Sequence, residues 1–211
     1  MTQSAHDGHN ILSQASPLIM VLAILSSWNC AYAETPGKGD PTLIVDALHD
    51  ALSDVVSRGD SLSYESRFAK LEPAIDTSHD FATIARLVGG RFWMNLNDHD
   101  RTVFTEAFRR ASIAAYATRF TSAEGVKFEK ATLQDNPGAR ARVRSHLIRA
   151  DGSLVRFEYF LQDTHGQWRI ITIHVDGVSD LALQRAELTR IYGDKGLQGV
   201  MEHLETKAEG S

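Results

Sequence analysis

Cysteine is almost absent from this chain: its 211 residues include only Cys30. No disulfide framework can form within it. Charge of one sign is also lacking. The formal net charge is −5, with no basic excess or polybasic tail, so no electrostatic footprint for nucleic acid exists. No apolar run is long enough to span a bilayer comfortably. The longest, Pro17–Leu25, is the length of a signal-peptide core. Motifs of chemistry are missing too. No H-x-x-x-H or H-E-x-x-H pair joins the histidines, no G-x-S-x-G elbow is present, and Gly89-Gly90 lacks the spacing and the Lys of a phosphate loop. The sequence thus offers no motif for a metal, a nucleophile or a nucleotide.

What is present begins with an export-like front end. Ala31-Tyr32-Ala33 is an A-x-A cleavage site behind the apolar run. We read residues 1–33 as a signal peptide and 34–40 as a short polar linker. Met1–Gln14 contains no Lys or Arg, and an uncleaved membrane anchor is the other reading. Trp28-Asn29 before Cys30 do not fit a lipoprotein signal, so Cys30 would leave with the leader.

The chain is organised around Gln167–Glu187, QWRIITIHVDGVSDLALQRAE. Alternation places Trp168, Ile170, Thr172 and His174 on one face of a strand, and Arg169, Ile171, Ile173 and Val175 on the other. Both faces carry bulky groups, so both need cover. Asp176-Gly177 makes a turn, and Ser179-Asp180 caps the helix that follows.

Before it, the period is helical. Pro41–Ser57 carries Leu43, Ile44, Ala47, Leu48, Ala51, Leu52 and Val55 at i, i+3, i+4 spacing. Arg58-Gly59-Asp60 ends that helix; as a tripeptide it also matches an integrin-binding motif. Leu62–Leu71 is a second helix, stopped by Pro73. Ser78–Trp93 is a third, interrupted at Gly89-Gly90. Asn97–Phe120 is the longest, starting on the acidic turn Asp98–Asp100. After Gly125 the period falls to two. Strands are expected at Val126–Leu133, Ala139–Arg149, Ser153–Gln162 and Gln167–Val175. Helices Ser179–Tyr192 and Lys195–Thr206 close the chain. Helices, a four-stranded antiparallel meander, then helices make an α+β domain over 41–207.

Two side-chain groups invite a functional reading. His174 and Asp176 end a strand and could form an acid–base pair in the mouth of a curved sheet; equally, Asp176 could simply shape its turn. Arg140, Arg142, Arg144 and Arg156 form a basic stripe, either paired with Glu129 and Glu158 or facing an acidic lipid surface or partner. The histidines His49, His79, His99, His146, His165, His174 and His203 read as scattered surface residues.

Three segments resemble one family. HDFATIARLVGGRFW at His79–Trp93 resembles F-D-F-x-x-I-A-R-x-V-L-G-R-x-W. FTEAFRRASIAAYATRF at Phe104–Phe120 resembles F-x-x-A-F-x-x-x-L-x-x-x-Y-A-x-R-F. Trp168–Leu188 resembles W-x-I-x-D-V-x-V-D-G-V-S-L-x-x-x-x-R-x-E-F. Together they are similar to MlaC, the toluene-tolerance auxiliary component of an ABC transporter. SDLALQRAE at Ser179–Glu187 is closer to its hopanoid-associated branch, HpnM. Gly89, Met94, Thr172 and Leu188 depart from the family pattern.

The resemblance implies a cone-like domain with an apolar cavity between sheet and helices. It implies a periplasmic monomer without cofactor or catalysis, carrying a phospholipid or a hopanoid-like lipid as cargo. It implies a shuttle between an inner-membrane transporter complex and an outer-membrane lipoprotein complex. The alternative is a small cone-fold isomerase or hydrolase using His174 and Asp176. Residues expected to line the cavity are Ile84, Val88, Phe92, Phe108 and Tyr116 on helices. Val143, Leu147, Val155, Phe157, Tyr159, Leu161, Ile171, Ile173 and Val175 are expected to face it from the sheet.

Overall fold

Helical period in the first half of the chain and strand alternation in the second become two layers of one α+β domain. The computed structural model describes residues 39–121 and 126–210. The expected signal peptide, and the linker up to residue 38, lie outside the described residues. Among the described residues no helix is long and apolar enough to cross a membrane.

Helix α1, Thr42–Arg58, buries Val45, Leu48, His49, Leu52, Val55 and Val56. The buried stripe is rotated from the expected one, since Leu43 is 63% exposed and His49 lies inside it. Helix α2, Tyr64–Ser78, runs through Pro73 instead of stopping there. An interior proline removes one backbone bond and costs ~3 kcal/mol or more. Burial on both sides of it competes with that loss: Leu71 and Ile75 are fully buried, and Glu72 and Asp76 both bind the Arg109 guanidinium of helix α4.

Helix α3, Phe81–Trp93, is capped by Asp80 and kinked at Gly90, where φ is 52°. A Cβ there would sit 2.7 Å from Arg185 Nε, so the glycine serves both the bend and the close approach of that side chain. Helix α4, Asp98–Arg119, starts where the Asn97 side chain accepts the Asp100 N–H at 2.9 Å. Helix α5, Asp180–Ala208, comprises the two expected closing helices, the first running on past Tyr192. Its halves meet directly at Gly196, φ 64° and ψ −162°, without a linker. Helices α3 and α4 both pack on α5.

The sheet has six strands, not four. They are β1 Lys127–Phe128, β2 Thr132–Asp135, β3 Arg140–Ile148, β4 Leu154–Thr164, β5 Gln167–Val175 and β6 Val178–Ser179. The order is β1-β3-β4-β5-β6, with β2 also on β3, all antiparallel. The single strand expected at Val126–Leu133 is broken because Asp46 of α1 takes the Ala131 N–H at 3.0 Å. Ser145 Oγ donates to the Glu129 carbonyl at 2.7 Å in the same gap. Strand β6 is a short addition formed by the turn at Asp176-Gly177, where Val175 pairs with Val178.

One irregularity resolves the strand with two apolar faces. Phe160 pairs with Thr172, but the next residue, Leu161, pairs with Ile170. Ile171 is therefore the extra residue of a β-bulge, which inverts the alternation along β5. Trp168 and Ile170 point inward before it, and Ile173 and Val175 after it. Trp168 is 3% exposed and Ile170 fully buried. The expected inward placement of Ile171 is thus corrected, and Ile170 takes that position. The Ile173 N–H beside the bulge is bound by Asp180 Oδ1 at 3.0 Å, which also accepts from Thr172 Oγ1 and the Leu181 N–H.

Candidate functional site

An aromatic seam runs between the inner sheet face and the helices. Its members come from elements that converge only in three dimensions: His49 on α1, Tyr116 and Phe120 at the end of α4, Phe128 on β1, Phe157 and Tyr159 on β4. Phe120 and Phe128 have ring centroids 6.1 Å apart, Phe128 and Phe157 6.3 Å, Phe157 and Tyr159 6.0 Å. His49 stacks on Phe128 at 4.1 Å. Tyr116 stacks on Phe120 at 6.0 Å. Offset and edge contacts of this kind contribute ~0.5–1.5 kcal/mol per pair beyond the apolar area they bury.

Polar tips inside the seam are paired, apart from the buried His49 Nδ1, which has no hydrogen-bond partner among the described residues. His49 Nε2 and the Tyr159 hydroxyl are 2.8 Å apart. The Tyr116 hydroxyl and His79 Nε2 are 3.2 Å apart, and the Ser78 hydroxyl is 2.9 Å from His79 Nδ1. Burial, which penalises the charged form, lowers both imidazoles to about 4. The same cause raises the phenols of Tyr116 and Tyr159. Both histidines are neutral at pH 7. Reading His49 and His79 as surface residues is corrected: they are 3% and 7% exposed.

At its outer end the seam opens into a cavity of ≈ 470 Å³. Val56 of α1, Phe120 and Thr121 after α4, Val126 and Leu147 give it apolar walls. Arg119, from the last turn of α4, and Arg149, Ala150 and Asp151, from the β3–β4 turn, stand at its rim. Its volume falls within the ~300–1,000 Å³ of ordinary ligand pockets.

The residues expected to face a cavity divide into three groups. Phe92 and Phe108 sit in the packing between helices: Phe92 stacks on Tyr192 at 4.7 Å and meets Phe104 edge-on at 5.5 Å, with Phe108 beside Phe104. Ile84 and Val88 belong to the same buried core. Val143 and Leu161 are buried on the sheet's inner face, with Ile173 opposite Tyr159 and Val155 opposite Leu147. Tyr116, Phe157 and Tyr159 belong to the seam, Val175 lies across from Phe157, and Leu147 alone of the set lines the open cavity. Val56, Phe120, Val126, Phe128 and His49 were not among those expected. The signal for Phe120 and Phe128 is their position, at the end of the last long helix and the start of the first strand.

His174 and Asp176 do not form a hydrogen-bonded pair. His174 is on the outer sheet face against Phe160, ring centroids 4.5 Å apart. Asp176, at φ 50°, accepts the Arg156 N–H at 2.9 Å and so shapes the turn. The basic stripe is largely paired: Arg144 and Arg156 share Glu158, and Arg142 binds Asp135 at 2.6 Å. Glu129 binds His146 instead of an arginine. Among the described residues no group of three or more His, Cys, Asp or Glu could hold a metal ion.

Comparison with known proteins agrees with this architecture. The family described as "MlaC protein" matches residues 46–206. A phospholipid-binding protein from Ralstonia solanacearum, solved in complex with a phospholipid, has a similar fold. The TM-score is 0.67 at 18% identity, over 81% of this chain and 98% of that one. No curated protein matches the sequence.

Proposed function

The chain belongs to the MlaC protein family, and we propose that it binds a phospholipid and shuttles it through the periplasm without catalysis. In this reading it collects or delivers lipid at an inner-membrane transporter complex and an outer-membrane lipoprotein complex. The observation that carries the proposal is the seam of Phe120, Phe128 and Phe157 ending in an open cavity walled by Val56, Val126 and Leu147. Acyl chains need only such a surface, because each buried methylene contributes ~0.8 kcal/mol. The Ralstonia protein of similar fold was solved with a phospholipid bound, which supports the same ligand class here.

The cavity is smaller than a two-chain lipid requires. Loading would part the seam at Tyr116, Phe120, Phe128 and Phe157, whose rings are only partly covered. A neutral, hydrogen-bonded lining at His49–Tyr159 and His79–Tyr116 avoids any unpaired charge against the acyl chains.

The test is extraction of the protein purified from an exporting host, followed by mass spectrometry of the extract. The expected result is near-stoichiometric phospholipid. A protein that carries no lipid, and takes none from phospholipid vesicles, would overturn the proposal. A hopanoid-like lipid in the extract would keep the carrier and change its cargo.

A further inference from the structure

We propose that Arg119 and Arg149 bind the phosphate of the cargo's headgroup and make the cavity selective for phosphate-bearing amphiphiles over neutral ones. The inference rests on the lipid-carrier reading and adds a recognition element to it. The cavity changes character from wall to rim. Its walls, Val56, Phe120, Val126 and Leu147, offer no hydrogen-bonding side chain apart from the Thr121 hydroxyl beside them, whereas the exposed Arg119 and Arg149 stand at the rim. They come from different elements, the last turn of α4 and the β3–β4 turn, and meet only because the fold brings these two ends together.

Neither guanidinium is held by a carboxylate among the described residues. Among the described residues the Arg149 side chain donates one hydrogen bond, to Ser153 Oγ at 3.4 Å. Arginines on the sheet face behave otherwise: Arg142 and Arg144 each hold a carboxylate at 3.0 Å or less. Asp151, the acidic group at the rim, turns its Oδ1 to the Ser153 N–H at 2.9 Å.

Among the described residues the rim thus carries two cations and one anion. A phosphodiester monoanion completes its charge balance, and guanidinium is the side chain best shaped to grip phosphate oxygens. A diacylglycerol presents the same acyl chains to the wall but nothing to the rim. Free phosphate presents the same anion to the rim but nothing to the wall. An exposed pair of arginines alone holds it weakly, because water and salt screen the attraction.

The experiment uses delipidated full-length mature protein and vesicles containing phosphatidylglycerol and diacylglycerol of identical chains. The readout is the ratio of the two lipids bound, by mass spectrometry. Wild type should prefer the phospholipid by about tenfold. In Arg119→Gln with Arg149→Gln the ratio should fall towards one, while Arg119→Lys with Arg149→Lys should recover part of it. A parallel titration with inorganic phosphate should leave the wild-type ratio unchanged up to millimolar levels. An unchanged ratio in the glutamine variant would overturn the inference, as would phosphate abolishing the wild-type preference, which would make the rim a free-anion site. Absence of both lipids from wild type would instead count against the carrier reading itself.

Discussion

Two aromatic regions of this molecule share a composition and differ in packing. Between α3, α4 and α5, the rings of Phe92, Phe104 and Phe108 are buried, with Phe104 completely inaccessible, and the half-buried Tyr192 stacks on Phe92. Between α4 and the sheet, Tyr116, Phe120, Phe128 and Phe157 are each only partly covered, and Phe120 borders an open cavity of ≈ 470 Å³. The first region is a core in the ordinary sense. The second is apolar surface that the chain leaves incompletely satisfied. Aromatic content alone therefore says nothing about ligand binding; whether protein atoms fill the space beside the rings does.

The comparison is broken most directly by truncation. Phe104→Ala removes a fully buried ring and should lower stability by ~3–5 kcal/mol, read as a drop in urea midpoint. Phe157→Ala in the seam should cost clearly less, because part of its surface already lacks a protein neighbour. Equal losses would mean that the two regions are one core.

Acid sharpens the comparison, because the seam contains neutral imidazoles. His49 and His79 titrate near 6.5 when unfolded and at about 4 when folded. Between those values the unfolded chain binds protons that the native chain refuses, so stability falls as pH drops from ~6.5 towards ~4. Each histidine contributes about 3 kcal/mol to that fall. Urea denaturation at pH 7 and pH 4.5 measures it. A variant carrying His49→Gln and His79→Gln should show a shallower dependence on pH. An unaltered slope would place both groups in water.

A third comparison concerns filling. Val143 is fully buried on the sheet's inner face, so Val143→Trp should overpack it and cost ~1–3 kcal/mol. A thermal midpoint unchanged by that substitution would mean that free space extends further along the sheet than the cavity.

The layers of this fold were legible in the sequence because helical and strand periods occupy separate stretches of the chain. Strand β5 was legible even in its bounds, Gln167–Val175. Its facing was not, since one extra residue at Ile171 inverts the alternation, and a bulge leaves no composition signal when both faces are apolar. Pro73 misled for the opposite reason: a local stop signal lost to long-range burial of Leu71 and Ile75 and to the Arg109 contacts. The candidate site was only partly legible. Tyr116, Phe157, Tyr159 and Leu147 follow from alternation and helical phase. The rim formed by Arg119 and Arg149 depends on where the ends of two elements meet, and His49 and His79 are buried by partners distant in the chain: His49 by Tyr159, 110 positions on, and His79 by Tyr116, 37 positions on.

The central claim is that space at the end of the seam belongs to a lipid. Leu147→Trp tests it most directly, because Leu147 lines that space and is only partly buried. The measurement is phospholipid bound per protein together with the thermal midpoint. The account predicts a lipid content well below wild type, with the midpoint of the delipidated protein preserved. Full lipid content with the indole in place would contradict it.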